Sequence, residues 1–305
     1  MRPDFIQANT NGRLHDARET SLSPLNRGYL YGDAVYEVWR TYDGVLFAWD
    51  EHWQRLLQSA QALHMDLPWD APMIWREIGR TVAAFRETTG YAGELYVRLQ
   101  ISRGAGTIGL DLGLADGPDF TLLVQANKVM PARQAQSGYT LSLESTLRRN
   151  PANALNPAWK TGNYLNNILC LREANSRGAD DVLMINLAGE ITEAATSNIG
   201  FFRAGELVTP PLSAGILGGI TRELILREVA AVAGLGVTER VIAPAELNSM
   251  EECFIMSTTR DIAPVGMIDQ QPYRVGPGTL TAHLKSAFAG YVRRYSAIHP
   301  ELKLP

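Results

Sequence analysis

Cysteine is scarce in this 305-residue sequence: only Cys170 and Cys253 occur, far apart and each among apolar neighbours (NILCLRE and EECFIMS). No Cys-x-x-Cys spacing exists, so neither a disulfide framework nor a thiolate metal site is supported, and two buried, reduced thiols are expected. No basic tract appears and the formal charge is -4, which gives a nucleic-acid partner no compositional support. No apolar run reaches membrane-spanning length, and the opening MRPDFIQANTNG lacks the apolar core of a secretion signal. A cytoplasmic protein that neither binds nucleic acid nor enters a membrane is therefore expected. Also missing is a glycine fingerprint of the dinucleotide type after a strand and before a helix, which weighs against a nicotinamide enzyme. There is no internal repeat and no low-complexity segment.

What is present is ordinary globular composition, 46% hydrophobic and 20% charged, enough for one large domain or two smaller ones. Toward the N-terminus YEVWRTY reads as a strand, the turn signal Asp43-Gly44 follows, and VLFAW reads as a second strand. From Asp50, a candidate N-cap, Trp53, Leu56, Leu57, Ala60 and Leu63 recur at helical spacing. A second helix is expected over about Ala71–Thr88, and ELYVRLQISRG and DFTLLVQANKV read as strands. Further on, YTLSLES reads as a strand and about Gly162–Arg177 as a helix. The segment DVLMINLAGEITEAATSNIGFFRAGELVTPP reads as consecutive hairpin strands around LAGE and RAGE. GGITRELILREVAAVAG reads as a helix with a glycine at each end, EECFIMSTT as a strand, and TLTAHLKSAFAGYVRRY as an amphipathic helix. Hairpins outnumber strand–helix–strand crossovers, so the fold class is α+β. Domain boundaries are set at 1–126 for a small α+β domain, 127–137 for a linker and 138–305 for a larger domain.

Five places carry candidate chemistry, each with a plainer alternative. Lys160, in NPAWKTGNYLNN, follows Trp159 and Pro157 and stands at a helix start, the less comfortable end for a cation. An amine nucleophile needs its free base, although lysine titrates at about pH 10.4 in water, and an apolar or cationic surround favours that base. A solvated lysine is the alternative. Gly218–Glu223 offers the backbone N–H groups of a helix start with the Thr221 hydroxyl beside them, a generic phosphate seat, or else a simple glycine loop. Ser257–Asp261 is a second hydroxyl-rich turn. Arg55 can reach a phosphate with two donors or simply snorkel. Glu193 on its strand can hold a protonated ring nitrogen or face solvent.

Taken together and in order, RGYLYGDAVYEVWRTYDG, EHWQRL, WKTGNYLNN, GEITEAATSNI, GILGGITRELIL and STTRDIAPV resemble the class IV, or fold-type IV, pyridoxal-phosphate aminotransferases across nearly the whole chain. That family includes branched-chain aminotransferases, D-amino-acid aminotransferases, R-selective amine transaminases and aminodeoxychorismate lyases. The resemblance implies a small α+β domain and a larger cofactor-binding domain with a barrel-like sheet and helices. It implies pyridoxal 5'-phosphate as cofactor and a homodimer or higher homo-oligomer whose sites borrow a loop from the partner. Lys160 resembles the lysine that joins the cofactor covalently and later shuttles the proton. Glu193 resembles the carboxylate on the pyridine nitrogen, and Tyr164 the tyrosine on the phenolic oxygen. Arg55, Ile220, Thr221 and Thr258 resemble the phosphate cup. No metal is implied.

The substrates implied are a small amino donor and a keto acid acceptor, exchanged in ping-pong order. Tyr36, Arg40, Tyr96, Arg98 and Thr259 resemble substrate-binding positions: YEVWR is similar to the FEGIR block of branched-chain enzymes, and YVR to their YIR block. Branched-chain L-amino acids with 2-oxoglutarate are the first expectation. Three departures keep alternatives open: Val38 in place of a glycine, ISRG with Arg103, and STT in place of a glycine-threonine-alanine turn. The loop GAGTIGLDLG has Ile108 and Leu110 where D-amino-acid enzymes carry an arginine and a histidine, and Arg260 is a candidate replacement anchor for a carboxylate. The D-amino-acid and R-amine transaminases are the alternatives, with the lyase further off.

Overall fold

The computed structural model describes residues 5–305; Met1–Asp4, the start of the segment read above for a secretion signal, lie outside the described residues. Two units are present, Met1–Lys128 with Trp159–Asn163 and Arg294–Pro305, and Val129–Ala158 with Tyr164–Arg293.

The first unit contains β1 (Gln7–Thr10), β2 (Arg13–Asp16), α1 (Arg27–Tyr31), β3 (Ala34–Tyr42), β4 (Val45–Leu46), α2 (Trp49–Ala62), α3 (Ala71–Thr89), β5 (Leu95–Ser102) and β6 (Asp119–Ala126). The strands form one antiparallel sheet in the order β2-β1-β6-β5-β3-β4. Alternation decides its two faces. Leu95, Val97, Leu99 and Ile101 of β5 are fully buried with Leu56, Ile74, Ile78 and Val82 of the two long helices, while Tyr96, Arg98 and Gln100 point the other way. Register carries this pattern onto β3: Val38 faces Arg98 and Arg40 faces Tyr96, so Tyr36, Val38 and Arg40 share the face away from the helices. Glu37, one position out of phase, goes under the helices.

The β3–β4 hairpin turns at Asp43 and Gly44, whose φ values of 51° and 79° suit the asparagine/aspartate-glycine type of tight turn. The second strand is shorter than expected. It stops at Leu46 because Ala48 takes a left-handed conformation (φ 54°) and turns the chain into α2. Asp50 is accordingly not the N-cap. It lies in the first helical turn with Glu51, where both carboxylates favour the helix dipole. Phe47 and Trp49 go into the core instead of onto a strand, Trp49 stacking on Trp39 and Trp53 at 5.3 and 5.7 Å.

The second unit contains α4 (Ala132–Ser137), β7 (Tyr139–Glu144), α5 (Leu165–Ser176), β8 (Asp181–Ile185), β9 (Ile191–Ala194), β10 (Asn198–Arg203), β11 (Glu206–Thr209), α6 (Ile220–Leu224), α7 (Ala230–Val232), β12 (Val237–Glu239), β13 (Glu252–Ser257), β14 (Asp261–Ile268), β15 (Gln271–Pro272) and the part of α8 (Leu280–Ile298) that precedes Arg294. A π-helical turn, Ile225–Val229, makes α6 and α7 continuous. Nine strands form a curled sheet in the order β12-β11-β10-β13-β14-β7-β8-β9, with β15 added to β14. The expected hairpins are present at β8–β9 and β10–β11, and a further antiparallel pair joins β13 to β14. Three pairings are parallel, β11–β12, β14–β7 and β7–β8, so the sheet is mixed. The core is aliphatic and aromatic, built on Leu141, Leu183, Ile199, Phe201, Ile255 and Val265. Cys170 and Cys253 are both buried and free, as expected, and burial raises the Cys170 thiol to about 11.

Gly266 marks a close approach of two backbones. A Cβ there would lie 2.0 Å from the Ser137 carbonyl oxygen, at the point where the β14–β7 register shifts. Gly266→Ala is expected to cost about 1–3 kcal/mol, because the obstacle is main chain and cannot rotate away. A urea midpoint equal to that of the parent would contradict this packing.

Candidate active site

Lys160 belongs to a five-residue segment, Trp159–Asn163, that joins the first unit. Its backbone is fixed at several points. Lys160 N–H donates to Ser59 Oγ (3.1 Å), Tyr36 N–H donates to the Lys160 carbonyl (3.0 Å), and Gly162 N–H donates to the Ala34 carbonyl (3.3 Å). The segment thus runs beside β3, with Val35 and Thr161 forming a bridge. The Lys160 amine stands over the Tyr36 ring at 4.5 Å, and the Arg98 guanidinium over the same ring at 3.9 Å. Arg98 also donates to Gln100 Oε1 at 2.8 Å. Three of the expected residues, Lys160, Tyr36 and Arg98, therefore meet. Arg40 stacks on Tyr42 (4.1 Å), opposite Tyr96 in the register.

Arg55 is engaged beneath them. Its Nε and Nη2 donate to the two oxygens of Glu37 at 2.6 and 2.9 Å, a bidentate pair, and His52 Nδ1 meets Glu37 Oε2 at 2.7 Å. The cluster is buried, with Glu37 0% and His52 1% exposed. Burial opposes ionisation of Glu37, but the Arg55 charge and the hydrogen bonds from Arg55 and His52 outweigh it and hold the carboxyl well below its usual range. Burial also lowers the His52 pKa, against the pull of Glu37 and assisted by Arg55 and Lys160, which favours a neutral ring donating through Nδ1.

In the second unit, Glu193 on β9 is buried, not solvent-facing. It meets Arg149 Nη2 at 2.5 Å, accepts from Asn198 Nδ2 at 2.9 Å, and accepts from Leu217 N–H at 3.3 Å. Asn198 donates as well to the Leu217 carbonyl (2.9 Å), so the loop that leads into α6 is tied to the same carboxylate. That helix begins at Ile220 after Gly219, without a capping side chain, and both Ile220 and Thr221 are buried. A Cβ on Gly219 would stand 2.1 Å from Asn198 Oδ1, so only glycine fits beside this network. Tyr164 is half-buried immediately before α5, and Thr258 and Thr259 occupy the turn from β13 to β14.

Two arginines singled out in the sequence have other partners. Arg260 Nη1 is paired with buried Asp181 at 2.6 Å, and Asp181 also accepts from Val182 and Ala195 N–H, which makes Arg260 a brace for the threonine turn in place of a carboxylate anchor. Arg103 forks onto Asp33 (2.8 and 3.1 Å) and donates to the Leu63 and His64 carbonyls at the end of α2. Asp33 also takes Arg27, whose guanidinium holds the carbonyls of Gly109 (2.8 Å) and Leu110 (3.3 Å). The 104–113 loop is thereby held with Ile108 and Leu110 exposed at 70% and 79%. Sequence reasoning missed Glu37, His52, Arg149 and Asn198. Glu37 had a usable signal, a carboxylate in an otherwise apolar strand 18 residues before Arg55. Among the described residues no metal-binding cluster occurs, and no helix is long and apolar enough to cross a membrane.

Residues 34–268 match the amino-transferase class IV family. A putative branched-chain-amino-acid aminotransferase of Methanocaldococcus jannaschii is 33% identical over 91% of this chain and 93% of its own. A D-alanine aminotransferase of Bacillus licheniformis is 31% identical over 91% and 94%. A branched-chain aminotransferase of Thermoproteus uzoniensis, solved in the presence of norvaline, superposes with a TM-score of 0.83 at 29% identity, over 96% of this chain and 98% of that one. With a fold that agrees with these matches, the chain belongs to the class IV aminotransferases and is a pyridoxal-phosphate-dependent transaminase.

Proposed function

We propose that the protein moves amino groups between branched-chain L-amino acids and 2-oxoglutarate, with Lys160 as the catalytic amine and Glu193 as the partner of the cofactor's ring nitrogen. The donor set suits pyridoxal phosphate: an amine over an aromatic ring, a buried carboxylate, and an uncapped helix start next to Thr221. Arg55, Ile220, Thr221 and Thr258 are assigned to the phosphate and Tyr164 to the phenolic oxygen. When bound, the cofactor supplies an electron sink that lets the substrate Cα release its proton. Lys160 Nζ takes that proton and returns it one atom away, which requires the fixed backbone described above. The small donor and acceptor take turns in one site; a homodimer in the cytoplasm is the setting this reading expects.

The observation that carries the substrate assignment is the Lys160–Tyr36–Arg98 stack. Tyr36, with Val38, Arg40 and Tyr96 on the same sheet face, gives an aromatic and aliphatic wall, and Arg98 supplies a cation for the distant carboxylate of glutamate or 2-oxoglutarate. The norvaline in the Thermoproteus structure is an aliphatic amino acid of the same kind. A D-amino-acid reading draws on the D-alanine aminotransferase similarity, but Ile108 and Leu110 place no cation on the exposed loop and Arg260 is occupied by Asp181. Single-turnover spectra with L-leucine, D-alanine and (R)-1-phenylethylamine rank the possibilities, and L-leucine is expected to react fastest. A much faster D-alanine reaction would reverse the assignment, and pyruvate released from aminodeoxychorismate without an acceptor would point to the lyase.

A further inference from the structure

Arg149 lies in an irregular stretch after β7 and is nine-tenths buried, although nothing in the reaction as outlined uses it. Its main chain is fixed by the Arg149 N–H to Ile185 carbonyl bond (2.9 Å) and its Nε by the Gly215 carbonyl (3.1 Å). Those two ties aim the remaining fork at Glu193 Oε1, with side-chain exposures of 10% and 6% for the pair. Glu193 thus already holds one cation before any cofactor arrives.

We propose that Arg149 is a positioning residue that keeps the proton shared by Glu193 and the cofactor on the ring nitrogen. This rests on Glu193 being the ring-nitrogen partner. A carboxylate and a pyridine nitrogen brought together in a dry site compete for one proton, and a neutral pair is the favoured outcome when no other charge is near. A guanidinium in contact with the carboxylate lies closer to that group than to anything the carboxylate holds on its other side. It therefore stabilises the anion more than it repels a pyridinium, and the proton moves to nitrogen. The remaining N–H donors, from Asn198 and Leu217, act in the same direction by favouring the charged carboxylate. Nearby charges on the adjoining strands are balanced, Asp181 by Arg260 at 2.6 Å and Glu144 by Arg177 at 3.0 Å. Arg149 is a cation in direct contact with this carboxylate.

The test uses holoenzyme reconstituted with cofactor carrying nitrogen-15 in the ring. The parent protein is expected to give the chemical shift of a protonated ring nitrogen at neutral pH. Arg149→Met should move the shift at least halfway toward the unprotonated value, and Arg149→Lys, which keeps the charge without the fork, should stay near the parent. Should Arg149→Met fail to fold, Arg149→Gln keeps the hydrogen-bonding capacity without the charge and makes the same comparison. An uncharged variant that retains the parental shift overturns the proposal. Glu193→Gln separates the two ideas: a shift unchanged by that substitution means Glu193 is not the ring-nitrogen partner and the underlying reading fails, whereas a change there with none at Arg149 removes only this inference.

Discussion

Lys160→Ala is expected to abolish the absorption band of the lysine–cofactor imine and to lower the half-reaction with any amino donor by at least about 10⁴-fold, while the protein stays folded. Both halves of that expectation come from geometry. The side chain contributes the amine over Tyr36, and alanine cannot replace it as covalent attachment point or as proton carrier. The segment itself is held by main-chain groups, with Tyr36 donating to the Lys160 carbonyl, Gly162 to the Ala34 carbonyl, and the Lys160 N–H to Ser59. Alanine preserves every one of those bonds. Unfolding curves of cofactor-free parent and variant should therefore coincide within about 0.5 kcal/mol, as for substitutions away from packed features. A variant that still exchanges amino groups at the parental rate would remove Lys160 from the chemistry. One that is inactive because it has unfolded would show that the amine carries structure through contacts beyond its backbone.

The residues of this site differ in how far the sequence alone could place them. Tyr36, Arg40, Tyr96 and Arg98 were singled out by the resemblance of YEVWR and YVR to blocks of the family, and strand alternation with antiparallel pairing, both local rules, puts them on one sheet face. The same rules sent Glu37 to the opposite face, beneath the helices, where a charge looks out of place until His52 and Arg55 are brought over it. That requires knowing how α2 packs on β3, which no local rule supplies. Arg149 is harder still: it lies in RRNPANALNP, without periodicity, and its partner is 44 residues away on a strand (193 minus 149). Arg260 was a candidate anchor for a carboxylate and Arg103 marked a departure from the branched-chain pattern, and each is held by an aspartate at least 70 residues away in the chain. The three parallel strand pairs escaped for the same reason, since hairpin signals are short-range and parallel neighbours are joined only through longer connections. Elements were legible where neighbours in sequence determine them, Glu193 was reached through the resemblance, and Glu37, whose partners come from a packed helix, was not.

Glu37→Leu should destabilise the protein by about 3–5 kcal/mol, the usual cost of leaving a buried cation without its counter-ion. Glu37 is fully buried and serves Arg55 through both oxygens and His52 through one, so its loss takes from Arg55 its bidentate counter-ion and from the His52 ring, which packs on Trp39, its hydrogen-bond partner. Removing the stranded charge as well, in Glu37→Leu with Arg55→Met, should recover most of the lost stability, because a packed apolar pair replaces ions that were costly to bury. It should not recover cofactor affinity if Arg55 serves the phosphate. Cofactor titrations of the two variants followed by tryptophan fluorescence, beside urea midpoints, separate those effects. Acid adds a second handle. Glu37 has a depressed folded pKa, so its contribution is present above the unfolded carboxylate value and is lost as pH falls toward the folded one. His52 is also depressed, so the unfolded chain takes up a proton first, at about pH 6.5, and stability begins to decline from there downward. Both groups act in the same direction, giving the parent a urea midpoint that falls steadily from neutral pH into the acid range. Replacing His52 by a non-titrating residue such as Gln, which can still donate to Glu37, should flatten the first part of that fall. An unchanged slope between neutral pH and the carboxylate range would show that the imidazole takes up its proton alike in the folded and unfolded chains, and the neutral, Nδ1-donating ring assigned to it would be wrong.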